Sequence, residues 1–250
     1  MITTRKIAIS SAFAVIYMIL RFVQTIPVVG IAGAAFSLSD AIAPIYGIIL
    51  GPYIGSASII LGTGLTLVFG KPTYFAGLDF LPAAMNAFTI GLLIKRKRGY
   101  ASMLFLITLI AFLIHPLTSQ VIMVNFPFGK IPIPFNWLHL AALLLLISPL
   151  SMKAVEWIEK GSIERITISV FMLTFIGTMI QHAVGGLLTV NIAWMYLGKI
   201  PTQGVEYVWN IVFYLYPIER ITLALIAPII GVPILKTIKG NKLGINLKET

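Results

Sequence analysis

Between Ser37 and Gly55 the chain reads SLSDAIAPIYGIILGPYIG: a lone Asp40 opens an apolar run, and a Gly51-Pro52 pair breaks it with no charge in between. As a helix, residues 38–50 would extend roughly 20 Å at about 1.5 Å per residue. That falls short of the roughly 30 Å hydrocarbon core of a bilayer. The segment therefore reads as a short or broken membrane helix. Interrupted helices are tolerated in lipid where their freed backbone groups face protein or a polar cavity. A chain organised around such a segment is expected to enclose a cavity, and its function is expected there.

Composition points the same way. Hydrophobic residues make up 58% of the 250 and charged residues 10%, with a mean hydropathy of +0.98, whereas a soluble domain carries about 25% charged residues. The apolar runs are continuous, unlike the alternating strands of an outer-membrane barrel. The expectation is an all-α integral membrane protein, with residues 1–250 as a single transmembrane domain. The first apolar stretch follows Thr3-Thr4-Arg5-Lys6 and lacks a clear small-residue cleavage site ahead of Asp40, so it reads as a retained span rather than a signal peptide. With no cysteine, disulfides, thiolate metal sites and a cysteine nucleophile are excluded.

Most of the 18 Lys and Arg residues fall in four clusters: Arg5-Lys6, Lys95 to Arg98, Lys153 with Lys160 and Arg165, and the tail Lys236, Lys239, Lys242, Lys248. The apolar sequence between them places eight spans near residues 6–24, 38–50, 53–69, 80–94, 102–124, 135–157, 166–190 and 207–238. With the amino terminus inside, every cluster falls on the cytoplasmic side, and the positive-inside rule gives both termini as cytoplasmic. The clusters also suit anionic lipid, and this placement argues against nucleic acid as the partner of a chain with net charge +10. The expected outer loops, 25–39, 70–79, 125–134 and 191–206, are poor in charge and rich in Gly and Pro. Aromatic residues such as Tyr74, Phe75, Trp194 and Trp209 gather there, either as a headgroup belt or as the lining of a small-molecule pocket.

Polar residues expected in lipid are the candidates for a site, because a charge there is costly unless it faces a cavity or partner. Glu219 and Arg220 lie well inside the last span, and as neighbours they are expected to point to different faces and pair with other helices. His182, just before Gly185-Gly186, either donates to a ligand or is a satisfied core histidine. His115, followed by Pro116, reads as structural. Glu206, Trp209 and Asn210 place a carboxylate, a ring and an amide at i, i+3 and i+4 on the first turn of the last span, a set suited to a polar heteroaromatic ligand. Asp40 and Asp79 at the outer interface complete the candidate substrate-binding set, while snorkelling explains Arg21. Histidines 115, 139 and 182 show no H-E-x-x-H spacing. There is no G-x-S-x-G elbow and no G-x-x-x-x-G-K-[ST] loop. No catalytic residue, metal site or cofactor is expected, and any ATP hydrolysis must come from a partner.

In the first span Ala8 and Ala12, with Ser10 and Ser11 beside them, form a small-residue face that permits close helix approach. Taken with AISSA, the loop ending FSLSD and then GIILGPYIGS, the chain resembles the substrate-binding S components of energy-coupling factor (ECF) transporters. The matching positions are Ala8 and Ala12, Asp40, and Gly47, Gly51, Pro52 and Gly55. The fourth span ending in GLLIKRKRG and the carboxy-terminal YPIERITLALIAPIIGVPILK are similar to the family's pattern, so the resemblance covers roughly residues 1–100 and 211–250. It implies that Ala8 and Ala12 contact a membrane T subunit. It also implies a substrate-capturing subunit for uptake of a vitamin or other small micronutrient, driven by ATP-binding cassette ATPases in the plasma membrane of a prokaryote. Family members usually have six helices, so eight spans make this an enlarged variant with an extra pair between residues 102 and 157. The family's metal-transporting branch needs His at position two; Ile2 disfavours nickel or cobalt. The rival readings are a non-catalytic structural subunit of another membrane complex and an unrecognised integral-membrane enzyme.

Overall fold

The computed structural model describes residues 4–240. Ile2, Lys242 and Lys248 lie outside the described residues, as do the side chains of Arg5, Lys6 and Lys239.

The chain is mostly helical: α1 (Thr4–Phe22), α2 (Ser39–Val68), α3 (Leu81–Ile94), α4 (Arg98–Ile114), α5 (Trp137–Ile147), α6 (Pro149–Lys160), α7 (Ile163–Leu188) and α8 (Val205–Gly240). An eight-residue π-helical stretch, Thr189–Tyr196, prolongs α7. Two short antiparallel hairpins interrupt the helices: β1 (Gln24–Pro27) with β2 (Ala35–Ser37), and β3 (Val121–Phe126) with β4 (Gly129–Pro134).

The break expected at Gly51-Pro52 is a reversal. Gly51 has φ +73° and ψ −175° inside α2, a backbone region that only glycine visits freely. A Cβ on Gly55 would stand 2.7 Å from the carbonyl oxygen of Tyr46. In a straight helix those residues would be separated by about 13 Å of rise, so the two arms of α2 lie side by side and antiparallel. Both arms rest on α1. Tyr46 donates to the Phe13 carbonyl at 2.7 Å on one side, and Ser10 and Ser58 share a 2.8 Å hydrogen bond on the other.

The motif that carries the reversal also packs it. A Cβ on Gly91 of α3 would meet the Pro52 Cα at 2.5 Å and the Gly51 carbonyl carbon at 2.6 Å. A Cβ on Gly47 would stand 3.0 Å from the Gly91 nitrogen. The turn and α3 therefore meet backbone to backbone, which is the use of the glycines at 47 and 91, while Gly51 makes the turn and Gly55 lets the two arms of α2 approach.

Among the described residues, three helices are long and apolar enough to cross a membrane: Ser39–Val68, Ile163–Tyr196 and Val205–Ile238. A fourth is added if Trp137–Ile147 and Pro149–Lys160, bent by 65°, form one span; α1, α3 and α4 are shorter apolar helices. Because α2 doubles back, it supplies two short arms rather than one long crossing. Ile19, Leu61, Ile107, Ile218 and Ile229 are exposed on the outside of the bundle, the surface of a helical membrane protein rather than of one facing water.

Two expected spans are corrected. The helix expected over residues 102–124 ends at Ile114, because His115 is extended (ψ 131°) ahead of Pro116, as the residue before a proline prefers. The residues beyond it form the β3–β4 hairpin, in register from Val121 opposite Pro134 to Phe126 opposite Gly129. The segment over 135–157 is two helices meeting at Ser148-Pro149, where the Ser148 hydroxyl caps α6 by accepting from the Leu150 N–H at 3.2 Å.

The basic turn and the site lie at opposite ends of the bundle. Arg96 pairs with Glu159 at 3.2 Å and Glu156 at 3.8 Å, which joins the turn after α3 to α6. These exposed pairs add little stability. Asp79, just before α3, marks the other end.

Candidate functional site

A cavity of about 140 Å³ opens at the end where α1 finishes and α2 and α3 begin. Its walls are Arg21 of α1, Phe36 and Ser37 of β2, Asp40, the 71–79 loop, Gln181 to Gly186 of α7, Trp194, and the inner face of α8. That face carries Trp209, Val212, Tyr216 and Arg220, the i, i+3, i+7, i+11 stripe of a helix side turned inward.

The roof is formed by two loops latched to each other and to the bundle. The Tyr74 hydroxyl donates to the Gly33 carbonyl at 2.5 Å, which joins the 71–79 loop to the β1–β2 connection. Trp194 Nε1 donates to the Gly30 carbonyl at 3.1 Å and holds the same connection from the other side. Gly30 has φ +86°, and a Cβ there would stand 2.8 Å from Val208, so a side chain would lift the roof off α8.

Asp40 and Asp79 both face the cavity, and both are engaged. Asp40 Oδ2 accepts from the Ser37 N–H at 2.8 Å, and its Oδ1 accepts from Gln181 Nε2 at 2.7 Å. Gln181 Oε1 in turn accepts from Asn86 Nδ2 at 2.7 Å, which carries the chain of hydrogen bonds into the bundle. Gly177 allows this, since a Cβ there would collide with Asn86 Oδ1. Asp79 accepts from the Thr73 hydroxyl and from the backbone N–H groups of Tyr74 (2.9 Å) and Phe75 (3.3 Å), and so shapes the loop.

His182 lines the cavity with its ring stacked on Tyr216, 4.8 Å between centres. Its Nδ1 lies 3.0 Å from His139 Nε2, and His139 is buried. His115 ends α4, where its Nδ1 accepts from the Leu117 N–H at 3.2 Å and its Nε2 lies 3.3 Å from Asn191.

The Glu206, Trp209 and Asn210 trio is divided. Trp209 is buried, lines the cavity and donates from Nε1 to the Leu117 carbonyl at 2.7 Å. Glu206 is exposed, and Asn210 Nδ2 turns back to the Glu206 carbonyl at 3.0 Å; neither lines the cavity. At about 100° per residue Trp209 and Asn210 diverge around the helix, so shared helical spacing did not bring them to one target.

Glu219 and Arg220 pair with each other, Arg220 Nη2 to Glu219 Oε2 at 3.4 Å, contrary to the expectation from their adjacency. The long guanidinium reaches back around the helix, and its central carbon lies 4.7 Å from the centre of the Phe36 ring. Arg21 is buried against the cavity rather than snorkelling to water. Lys71 completes the charged lining and donates from Nζ to the Arg21 carbonyl. Burial, with Arg21 beside it, holds the Lys71 ammonium below its usual pKa, and Asp40 and Asp79 partly oppose this. Gln181, Asn86 and Lys71 carried no spacing motif. Arg21 is the one whose charge, at the end of an apolar helix, was a signal.

Among the described residues no group of three or more His, Cys, Asp and Glu is placed to hold a metal ion. Ala8 and Ala12 are exposed, on the side of α1 away from α2, while Ala14 is buried. The arrangement is suited to holding a small polar solute between charged side chains and rings, beneath the two latched loops. Comparison with family models, curated proteins and solved structures returned no match.

Proposed function

We propose that this chain is the substrate-capturing membrane subunit of an ECF-type uptake transporter for a vitamin or other small micronutrient. It works in the plasma membrane of a prokaryote with a membrane T subunit and cytoplasmic ATP-binding cassette ATPases. The observation that carries the reading is the roofed cavity at the end of the bundle remote from the basic turn. With about eight short spans and both termini inside, that end faces out and the basic turn faces the cytoplasm. A solute enters beneath the 25–37 and 71–79 loops and is released inward when the partners move the subunit. The exposed Ala8 and Ala12 face is available to the T subunit.

The test is isolation of the tagged full chain from its native membranes, followed by proteomics and native mass spectrometry. Co-purification of ATP-binding cassette ATPases with a small molecule held at fixed stoichiometry is the expected result. Neither one appearing would overturn the proposal.

A further inference from the structure

Arg220 is a buried cation whose hydrogen bonding the protein meets only in part. It is 0% exposed, and one of its terminal nitrogens reaches Glu219. Among the described residues neither its Nε nor its Nη1 has a hydrogen-bond partner. A guanidinium does not give up its proton in a protein, and a buried donor left unpaired is destabilising. Arg21 Nε, from α1, is likewise buried without a partner and lines the same cavity.

The formal charges of the lining balance: Arg21, Lys71 and Arg220 against Asp40, Asp79 and Glu219. The hydrogen bonds do not balance. Asp40 is filled by Ser37 and Gln181, and Asp79 by its own loop. Glu219 accepts only from Arg220, at 3.4 Å. Among the described residues, the buried side-chain polar atoms of the lining that lack a partner are Arg21 Nε, Arg220 Nε and Arg220 Nη1, all donors on cations.

We propose that the captured solute is a small organic anion, its carboxylate or phosphate held by Arg220. Arg21 and Lys71 reinforce the positive field, and the flat body of the solute lies among Phe36, Trp209 and Tyr216. This rests on reading the cavity as the capture site. The size is set by the volume of about 140 Å³, close to that of a cavity of about 150 Å³ that accepts one benzene ring. One ring with an anionic group is the expected scale.

The experiment uses the full chain in lipid nanodiscs, with benzoate, phenyl phosphate and neutral benzamide as probes at equal concentration. Mass spectrometry of any retained molecule runs alongside. Benzoate or phenyl phosphate should raise the thermal midpoint while benzamide does not, and the retained molecule should be a low-mass anion. Arg220→Gln should weaken anion binding at least tenfold, Arg220→Lys should weaken it less, and Lys130→Gln should leave it unchanged. Arg21→Gln, on a different wall, and the benzoate-benzamide contrast in the unaltered protein keep the test open if Arg220→Gln does not fold. The proposal is overturned if benzamide stabilises as well as benzoate, or if no probe acts and nothing is retained. It is also overturned if the retained species is neutral, cationic or only a phospholipid. Recovery of the ATPases from native membranes is read separately. If they persist beside a neutral ligand, the anion assignment alone fails; if they are absent beside an anion, the transporter assignment alone fails.

Discussion

Gly91→Ala separates local helix propensity from tertiary fit, because the two give opposite signs. Gly91 lies in the interior of α3, and replacing a mid-helix glycine by alanine ordinarily stabilises by roughly 0.8–1 kcal/mol. Here the new Cβ would stand 2.5 Å from the Pro52 Cα and 2.6 Å from the Gly51 carbonyl carbon. Both atoms are backbone, in a turn whose Gly51 is already held at φ +73°, so no rotamer change relieves the overlap. Overpacking of this kind costs about 1–3 kcal/mol even where side chains can yield. The upper end applies to a rigid turn, and the net expectation is a loss of about 1–2 kcal/mol after the propensity gain. Gly64→Ala is the matched comparison. It sits in the second arm of α2 with nothing within 4 Å of its Cβ, so it should be neutral or stabilising by up to about 1 kcal/mol. Reversible unfolding in mixed detergent micelles measures both. If Gly91→Ala is as stable as Gly64→Ala, the backbone-to-backbone clasp is refuted, and with it the account of why glycines recur at 47, 51 and 91.

The proposed topology predicts that a cysteine at Arg98 in intact cells resists a membrane-impermeant reagent while one at Lys130 reacts; labelling at 98 would refute that orientation. Ala12→Trp points away from the bundle, so it should leave stability within about 0.5 kcal/mol and abolish uptake measured with the partner subunits co-expressed. Loss of folding instead would mark Ala12 as an internal packing residue. Tyr74→Phe removes the latch to Gly33, a bond worth about 1 kcal/mol net. It should speed release of a bound solute roughly fivefold, and an unchanged off-rate by stopped-flow would show that the roof opens elsewhere.

The reversal at Gly51-Pro52 was legible because it is written in residues with few alternative uses. A proline without an N–H and a glycine within an uncharged apolar run leave little but a break. The hairpins were not. In VIMVNFPFGKIPIP the apolar residues suit a short strand as well as the end of a membrane helix, and periodicity alone does not separate them. Pro116 was the available sign that α4 stops, since it biases His115 away from helix. The bend at Ser148-Pro149 had the same kind of marker, a capping serine followed by a proline at the first helical position.

The site was legible where a charge, a histidine or an interfacial ring stood in apolar sequence, as His182 and Trp209 also line the cavity. Asp40, Asp79, Glu219 and Arg220 are visible on cost alone, and all four reach the cavity. Their partners were hidden, because a hydrogen bond across the fold leaves no spacing in the chain: Gln181 meets Asp40 across 141 positions and Asn86 across 95. The same cost argument, carried one step further, decides between the two kinds of buried charge. A carboxylate ringed by its own loop, like Asp79, has its stabilisation supplied before any ligand arrives, so it holds the wall in place. A buried guanidinium with unpartnered N–H groups, like Arg220, would gain hydrogen bonds from an acceptor that reaches it. On the proposed capture reading, the difference between those two states is binding energy, and recognition falls to α8 rather than to the aspartates.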